Sequence, residues 1–132
     1  KYIDELKKNI FSEFPGKIAY FCKENPLLEE PNSSLNLNLA GMVYGKNEGL
    51  ERLLPNINSG FIQGNFNPLF LLNTEKEFEI ELDKFIQKFS RLSADERSGW
   101  ICSLSHGVLP KARENNVKRF ISEVRSVFSN ID

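Results

Sequence analysis

A polar segment around residue 105 holds the only histidine of the chain. His106 follows an apolar run that is typical of a buried strand, and Gly107 comes directly after it. An imidazole can donate a hydrogen bond to a carboxylate or hold a proton near neutral pH, and a neighbouring glycine lets a ligand approach the backbone. Ser103 and Ser105 could add hydroxyl donors. The pattern fits a binding site and a loop histidine satisfied by backbone groups equally well.

Two further segments place polar residues where a strand is predicted to end. They are residues 22–25 (Cys-Lys-Glu-Asn) and residues 63–68, which contain Asn65. In parallel α/β folds, binding and catalytic groups collect at the carboxyl ends of the strands. We therefore expect the three segments to meet at one edge of a sheet, with Asn65 as a candidate binding residue.

A zinc site is the main alternative at this edge. Cys102 and His106 lie four residues apart around one strand end, and Cys22 lies at another. Catalytic zinc usually has three protein ligands. A cysteine inside a strand is more often a small apolar core residue, so we expect no metal. The sequence also contains no phosphate-binding loop, serine elbow or HExxH motif.

Four apolar runs define the elements that must position these residues. A helix is predicted before them, because Ile3, Leu6, Ile10 and Phe14 share one face. Strands separated by helices pair in parallel with right-handed crossovers, and runs without alternation are typical of strands buried on both faces. Four strand–helix units make an α/β fold equal to half of an eight-stranded barrel. The runs are residues 17–22, 39–44, 60–64 and 99–104.

Local signals place the helices. Thr74, with Glu77 three residues later, predicts a capping box at the start of a helix. A short helix is expected to stop before Pro55, and a last helix to begin near Glu114. The third strand is predicted to end at Gly64, with a turn over residues 65–68. The stripe of the long helix, expected to pack in the core, is Phe78, Leu82, Phe85, Ile86 and Phe89.

Composition narrows the class of protein. The chain has 132 residues, and its 17 basic and 18 acidic residues give a net charge of −1, which predicts neither a nucleic-acid nor a membrane partner. Two cysteines are too few for a disulfide framework, so we expect a reducing compartment. The only methionine is Met42, and Lys1 opens directly into an amphipathic pattern. We interpret residues 1–132 as a single domain of a longer chain.

Three motifs resemble the C-terminal half of the uroporphyrinogen decarboxylase family. A Gln-Gly-Asn-Leu-Asp-Pro element of that family matches residues 63–68 (Gln-Gly-Asn-Phe-Asn-Pro). Its Asn-Leu-Gly-His-Gly-Val/Ile-Leu-Pro element matches residues 103–110 (Ser-Leu-Ser-His-Gly-Val-Leu-Pro), and its Glu-Asn-Val matches residues 115–117 (Asn-Asn-Val). The departures are Asn67 for Asp, Ser103 for Asn, Ser105 for Gly, and Val43 for the Asp of a Gly-Leu-Asp-Trp element. They indicate a divergent member.

The resemblance implies the last four strand–helix units of a TIM (β/α)₈ barrel. Family members remove the carboxyl groups of four acetate side chains of uroporphyrinogen III, giving coproporphyrinogen III in haem biosynthesis. They use no metal or cofactor and commonly form cytoplasmic homodimers. Of the recognised site residues only the histidine maps, onto His106, so no catalytic residue is expected in this half. We assign substrate binding to Asn65, Ser103, Ser105, His106 and Gly107.

Two other interpretations stay open. One is a zinc-dependent methyltransferase of the same superfamily, acting on a corrinoid or thiol partner. Those relatives tend to have Cys after the last strand, where this chain has His106, because thiolate is the stronger zinc ligand. The other is a non-catalytic half-barrel. We expect the 132 residues alone to be inactive, and to associate with a second copy or with an N-terminal half.

Overall fold

One parallel sheet of four strands organises the residues that the computed structural model describes, which are 5–22, 39–57 and 59–129. The strands lie side by side in chain order, and all three neighbouring pairs are parallel. Helices separate the later strands, so the predicted α/β class is confirmed and the arrangement is consistent with part of a TIM barrel. The strands are β1 (Ala19–Cys22), β2 (Gly41–Tyr44), β3 (Phe61–Phe66) and β4 (Trp100–Leu104).

Three α-helices, two 3₁₀ turns and one π-helical segment accompany the sheet in the described ranges. A π-helical segment, Lys7–Phe11, precedes β1, where a helix was predicted. None of these helices has the length and apolar character needed to cross a bilayer. The α-helices are α1 (Leu50–Leu53), α2 (Glu75–Ser90) and α3 (Glu114–Phe128), and 3₁₀ turns cover Leu54–Asn56 and Pro68–Leu72.

The predicted helix boundaries are largely confirmed. The capping box is present, since the Thr74 hydroxyl accepts a hydrogen bond from the Glu77 amide, and Glu77 Oε2 accepts one from the Thr74 amide at 3.1 Å. Helix α3 begins at Glu114 as predicted. Pro55 lies within the 3₁₀ turn, not after the helical segment, because the first positions of a helical turn need no backbone N–H.

The predicted end of the third strand is wrong by two residues. β3 continues through Asn65 to Phe66, where these residues pair with Ser103 and Leu104 of β4. Pairing with a neighbouring strand therefore overrides the turn-forming tendency of the Asn-rich segment. Its turn begins only at Asn67, whose side chain accepts a hydrogen bond from Leu69 N at 3.0 Å. The sequence also predicts a short irregular or helical piece bracketed by Pro26 and Pro31, which lies outside the described residues.

The helices cover one face of the sheet. Successive side chains of a strand point to opposite faces, and residues paired in register share a face. Phe66 marks the centre of the core, where its ring contacts four other rings at centroid distances of 5.7, 6.0, 5.1 and 4.9 Å. The apolar stripe predicted for α2 is confirmed as part of this core. The four rings are those of Phe70, Phe78, Phe85 and Phe120.

Trp100 ties the start of β4 to both β3 and α2. Its ring stacks on Phe89 with a centroid distance of 4.0 Å and an interplanar angle of 4°. Its indole Nε1 donates a hydrogen bond to Gly64 O at 2.7 Å. The apolar body of this partly buried residue thus packs against the helix while its one donor is satisfied, as expected for a tryptophan at the edge of a core.

The opposite face of the sheet has exposed apolar side chains. Phe21 of β1 is 56% exposed and Ile101 of β4 is 44% exposed. The rings of Phe21 and His106 nevertheless lie only 6.3 Å apart, edge to face. Strands are about 4.8 Å apart, so β1 and β4 would be roughly 14 Å apart in a flat sheet. The segment after β4 therefore lies over this face, as at the mouth of half a barrel.

Candidate functional site

The carboxyl ends of β2 and β3 approach each other closely at Gly64. This residue has a φ of +144°, and a Cβ placed on it would lie 3.0 Å from Tyr44 O. A side chain is disfavoured there by both the backbone conformation and the space. The next residue, Asn65, is 2% exposed, and its Nδ2 donates a hydrogen bond to Lys46 O at 3.1 Å. Asn65 therefore holds the segment that follows β2.

The carboxyl end of β4 is joined to the same segment through Ser105. This residue is fully buried, and its amide donates a hydrogen bond to Phe66 O at 2.9 Å, which continues the pairing of β3 with β4. Its hydroxyl donates to Asn47 Oδ1 at 2.6 Å. Since β3 lies between β2 and β4, the Asn47–Ser105 bond reaches across the end of β3.

His106 and Gly107 directly follow Ser105, beyond the Asn47–Ser105 hydrogen bond, which we call the bridge. His106 is half-buried with its ring against Phe21, and Gly107 is exposed, with open space where a Cβ would lie. Ser103 is half-buried, and its hydroxyl donates a hydrogen bond to Leu104 O at 2.9 Å. These three residues keep surface that a ligand can reach.

The five candidate residues thus fall into two groups. Asn65 and Ser103 are register partners near the carboxyl ends of β3 and β4. Asn65 and Ser105 are buried and already engaged in hydrogen bonds to the segment after β2. His106, Ser103 and Gly107 retain exposure. The arrangement offers one imidazole, one hydroxyl and an unobstructed backbone to a ligand.

Cys102 lies away from His106, on the other face of the sheet. It pairs in register with Gly64 and packs against the helix-side core. Burial raises the pKa of its thiol to about 12, so the thiolate that binds zinc is disfavoured. The described part of the chain contains no group of three His, Cys, Asp or Glu residues that could hold a metal ion. The side chain of Cys22 lies outside the described residues.

A groove of about 440 Å³ lies elsewhere on the molecule, between α2 and the segment after β2. Lys84 and Lys88 of α2 line it, together with Arg91, which directly follows that helix, and Phe70. Asn65 is the one candidate residue that borders it. The groove is therefore separate from the surface around His106.

Sequence reasoning missed the roles of two asparagines. Asn47 belongs to none of the motifs, and its partner Ser105 is 58 residues away. Asn116, in the Asn-Asn-Val motif, is 1% exposed, and its Nδ2 donates to Leu71 O at 3.2 Å and to Asn73 O at 3.0 Å. This residue anchors the first turn of α3 to the segment after β3. Only its place in a motif near a helix start could have singled it out.

Comparison with known proteins gives one consistent result. The sequence model of the family described as "Uroporphyrinogen decarboxylase (URO-D)" matches residues 1–127. A protein named uroporphyrinogen decarboxylase from Francisella philomiragia is 25% identical over 126 residues, which is 95% of this chain and 35% of the relative. No solved structure matches the chain.

Two relatives of the same name come from Chlorobium. The protein from Chlorobium phaeovibrioides is 24% identical over 125 residues, and that from Chlorobium phaeobacteroides is 28% identical over 127 residues. Each match covers 94% of this chain and 35% of the relative. The chain therefore spans little more than a third of the length of these curated relatives.

Proposed function

This chain belongs to the uroporphyrinogen decarboxylase family, and we propose that it is part of a carboxy-lyase that converts uroporphyrinogen III to coproporphyrinogen III. In this reaction each of four acetate side chains loses its carboxylate as CO₂ and gains a proton at the methylene carbon, leaving a methyl group. The observation that carries the proposal is the family match over residues 1–127. The parallel α/β sheet described above is the architecture that such a match requires.

We propose further that these residues are the last four strand–helix units of a barrel in a longer, cytoplasmic chain. The exposed apolar side chains of Phe21 and Ile101 support this, because a barrel interior would cover them. An N-terminal half would cover that face, or a second copy when the half is lacking, and the complete enzyme would form a homodimer. Light scattering tests the association of the 132-residue chain, and a compact monomer at high concentration contradicts it.

The isolated chain should not decarboxylate. Protonating a pyrrole ring develops positive charge, and a preorganised buried carboxylate is the group that stabilises it. Every Asp and Glu in the described ranges is exposed or partly exposed. The described ranges therefore supply no buried carboxylate for this role, and measurable conversion by residues 1–132 alone would contradict the proposal that the isolated chain is inactive.

His106 is the residue to which we assign direct contact with substrate. Its half-buried ring lies beyond the end of β4, beside exposed Gly107 and half-buried Ser103. Uroporphyrinogen carries carboxylates, and a hydrogen bond to a charged acceptor is stronger than one between neutral groups. Ser103 and Gly107 complete the contact surface, and Asn65 and Ser105 contribute to the site through the segment that they hold.

Substituting His106→Asn in the complete enzyme tests this assignment. Asparagine keeps a donor and removes the titratable ring, so kcat/KM should fall about 10- to 100-fold, or roughly 1.4–2.7 kcal/mol of transition-state stabilisation. Lys118→Gln, on the exposed side of α3, is the matched control and should leave kcat/KM unchanged. Complete loss of activity would make His106 an essential proton carrier. An unchanged rate would make it a loop residue without function.

A further inference from the structure

We propose that Asn47 is a positioning residue, which fixes the place of His106 through its hydrogen bond to Ser105. The bond joins Ser105 Oγ to Asn47 Oδ1 at 2.6 Å and connects the segments after β2 and β4, two strands that are not neighbours. The catalytic consequence of this inference rests on the proposed function. The positioning itself does not.

Asn47 is presented by a backbone that is held on both sides. Lys46 O accepts a hydrogen bond from Asn65 Nδ2 at 3.1 Å, and Glu48 O accepts one from the Tyr44 hydroxyl at 3.0 Å. The residues before and after Asn47 are therefore tied to the ends of β3 and β2. Its side-chain oxygen stands at a defined point instead of sampling solvent, although the residue itself is exposed.

Ser105 is equally constrained. Its amide bonds to Phe66 O at 2.9 Å, and no part of the residue is exposed. Without Asn47 the buried hydroxyl would lose the partner that it has here, and a buried polar group without a partner is costly. The segment after β4 would then move to rehydrate the hydroxyl. His106 is the next residue, so its ring would leave its place against Phe21.

The bridge is a feature of this chain's own sequence. The motif that residues 103–110 resemble has glycine where Ser105 stands, and glycine has no hydroxyl with which to reach Asn47. A Ser105→Gly substitution therefore removes the bond and introduces the residue that the resembled motif has at this position. This makes it a mild way to test whether the bond places His106.

The single histidine of the chain provides a direct readout. In protein labelled with ¹³C-histidine, the Cε1–H resonance of His106 can be assigned by its disappearance in His106→Gln. Asn47→Leu and Ser105→Gly should each shift this resonance, and the double variant should shift it no further than the larger single change, since both remove one bond. Asn47→Asp keeps the acceptor oxygen and should retain the original resonance much more closely.

The matched control is Asn56→Leu, the same substitution at an exposed position of the 3₁₀ turn, which should leave the resonance in place. Near-ultraviolet circular dichroism of Trp100 confirms that each variant is folded. If Asn47→Leu does not fold, Ser105→Gly and Asn47→Asp still decide the question. An unmoved resonance in Ser105→Gly, or shifts that add in the double variant, would overturn the proposal.

Turnover separates this inference from the proposed function. In the complete enzyme, Asn47→Leu should lower kcat/KM by no more than His106→Asn does. The variant that carries both changes should have about the same kcat/KM as His106→Asn alone. Shifted resonances in a protein that does not decarboxylate would leave the positioning role standing and refute the proposed function. If the complete enzyme decarboxylates but the His106 resonance does not move in the variants, the proposed function stands and the positioning role of Asn47 is refuted.

Discussion

Replacing Asn116 by alanine should destabilise the fold far more than the same change at its neighbour Asn115. Asn116 is buried, and its two amide hydrogens bond to Leu71 O and Asn73 O at 3.2 and 3.0 Å. Asn115, one residue earlier in the same helical turn, is exposed. The pair therefore compares a buried and an exposed asparagine in nearly the same backbone position.

The size of the stability loss depends on which hydrogen bonds Leu71 O and Asn73 O retain after the substitution. Leu71 O still accepts the Arg113 amide at 3.0 Å, so it retains a partner after the substitution. Asn73 O loses the bond from Asn116. The alanine also removes Asn116 Oδ1, a buried atom that has no hydrogen-bond partner. We therefore expect a loss of about 1–2 kcal/mol in the free energy of unfolding, the cost of roughly one poorly satisfied buried group.

Urea denaturation followed by the fluorescence of Trp100, the only tryptophan, measures this loss. With a slope of about 2 kcal/mol per M, the midpoint of Asn116→Ala should fall by roughly 0.5–1 M. Asn116→Asp should be less stable still, because a carboxylate would face two carbonyl oxygens in a buried site. Asn115→Ala should stay within about 0.5 kcal/mol of the original protein. Equal losses at both positions, or Asp tolerated better than Ala, would refute the reasoning.

Three other perturbations have defined outcomes. Hydrogen bonds from Thr74 lower the pKa of Glu77 below 4.5, so its contribution to stability is complete above that pH and is lost as the pH falls through the lowered value. The difference in Tm between the original protein and Glu77→Gln should therefore become smaller below pH 4.5, and a difference that does not change with pH would contradict this. Burial raises the pKa of the Cys102 thiol to about 12. In a Cys22→Ser background, a thiol reagent at pH 8 should therefore modify Cys102 slowly in the native protein and rapidly in urea. Equal rates of modification would be inconsistent with a buried thiol. Phe66→Ala should cost about 3–5 kcal/mol of unfolding free energy, with a loss below 1 kcal/mol arguing against its central place in the core.

The parts of the fold that depend on local pattern could be predicted from the sequence. The α2 stripe and the Thr74–Glu77 capping box depend on residues three or four positions apart, which a helix places together. The four apolar runs predicted parallel strands because each is followed by a segment long enough for a crossover. These features involve little competition from distant parts of the chain.

The features that depend on pairing between distant strands could not be predicted. β3 extends to Phe66 only because β4 offers partners to Asn65 and Phe66, and the same pairing buries Ser105. Nothing in the sequence near Ser105 indicates that its hydroxyl bonds to Asn47 rather than facing a ligand. His106 follows the end of β4, as predicted, whereas the division of its neighbours into buried and accessible residues required the structure.

The most direct test of the central claim is the incubation of the complete protein that carries these residues with uroporphyrinogen III. The claim predicts conversion to coproporphyrinogen III with release of four CO₂ per molecule of substrate, and a kcat/KM about 10- to 100-fold lower for His106→Asn. Unconsumed uroporphyrinogen III, in a protein shown to be folded, would contradict the claim.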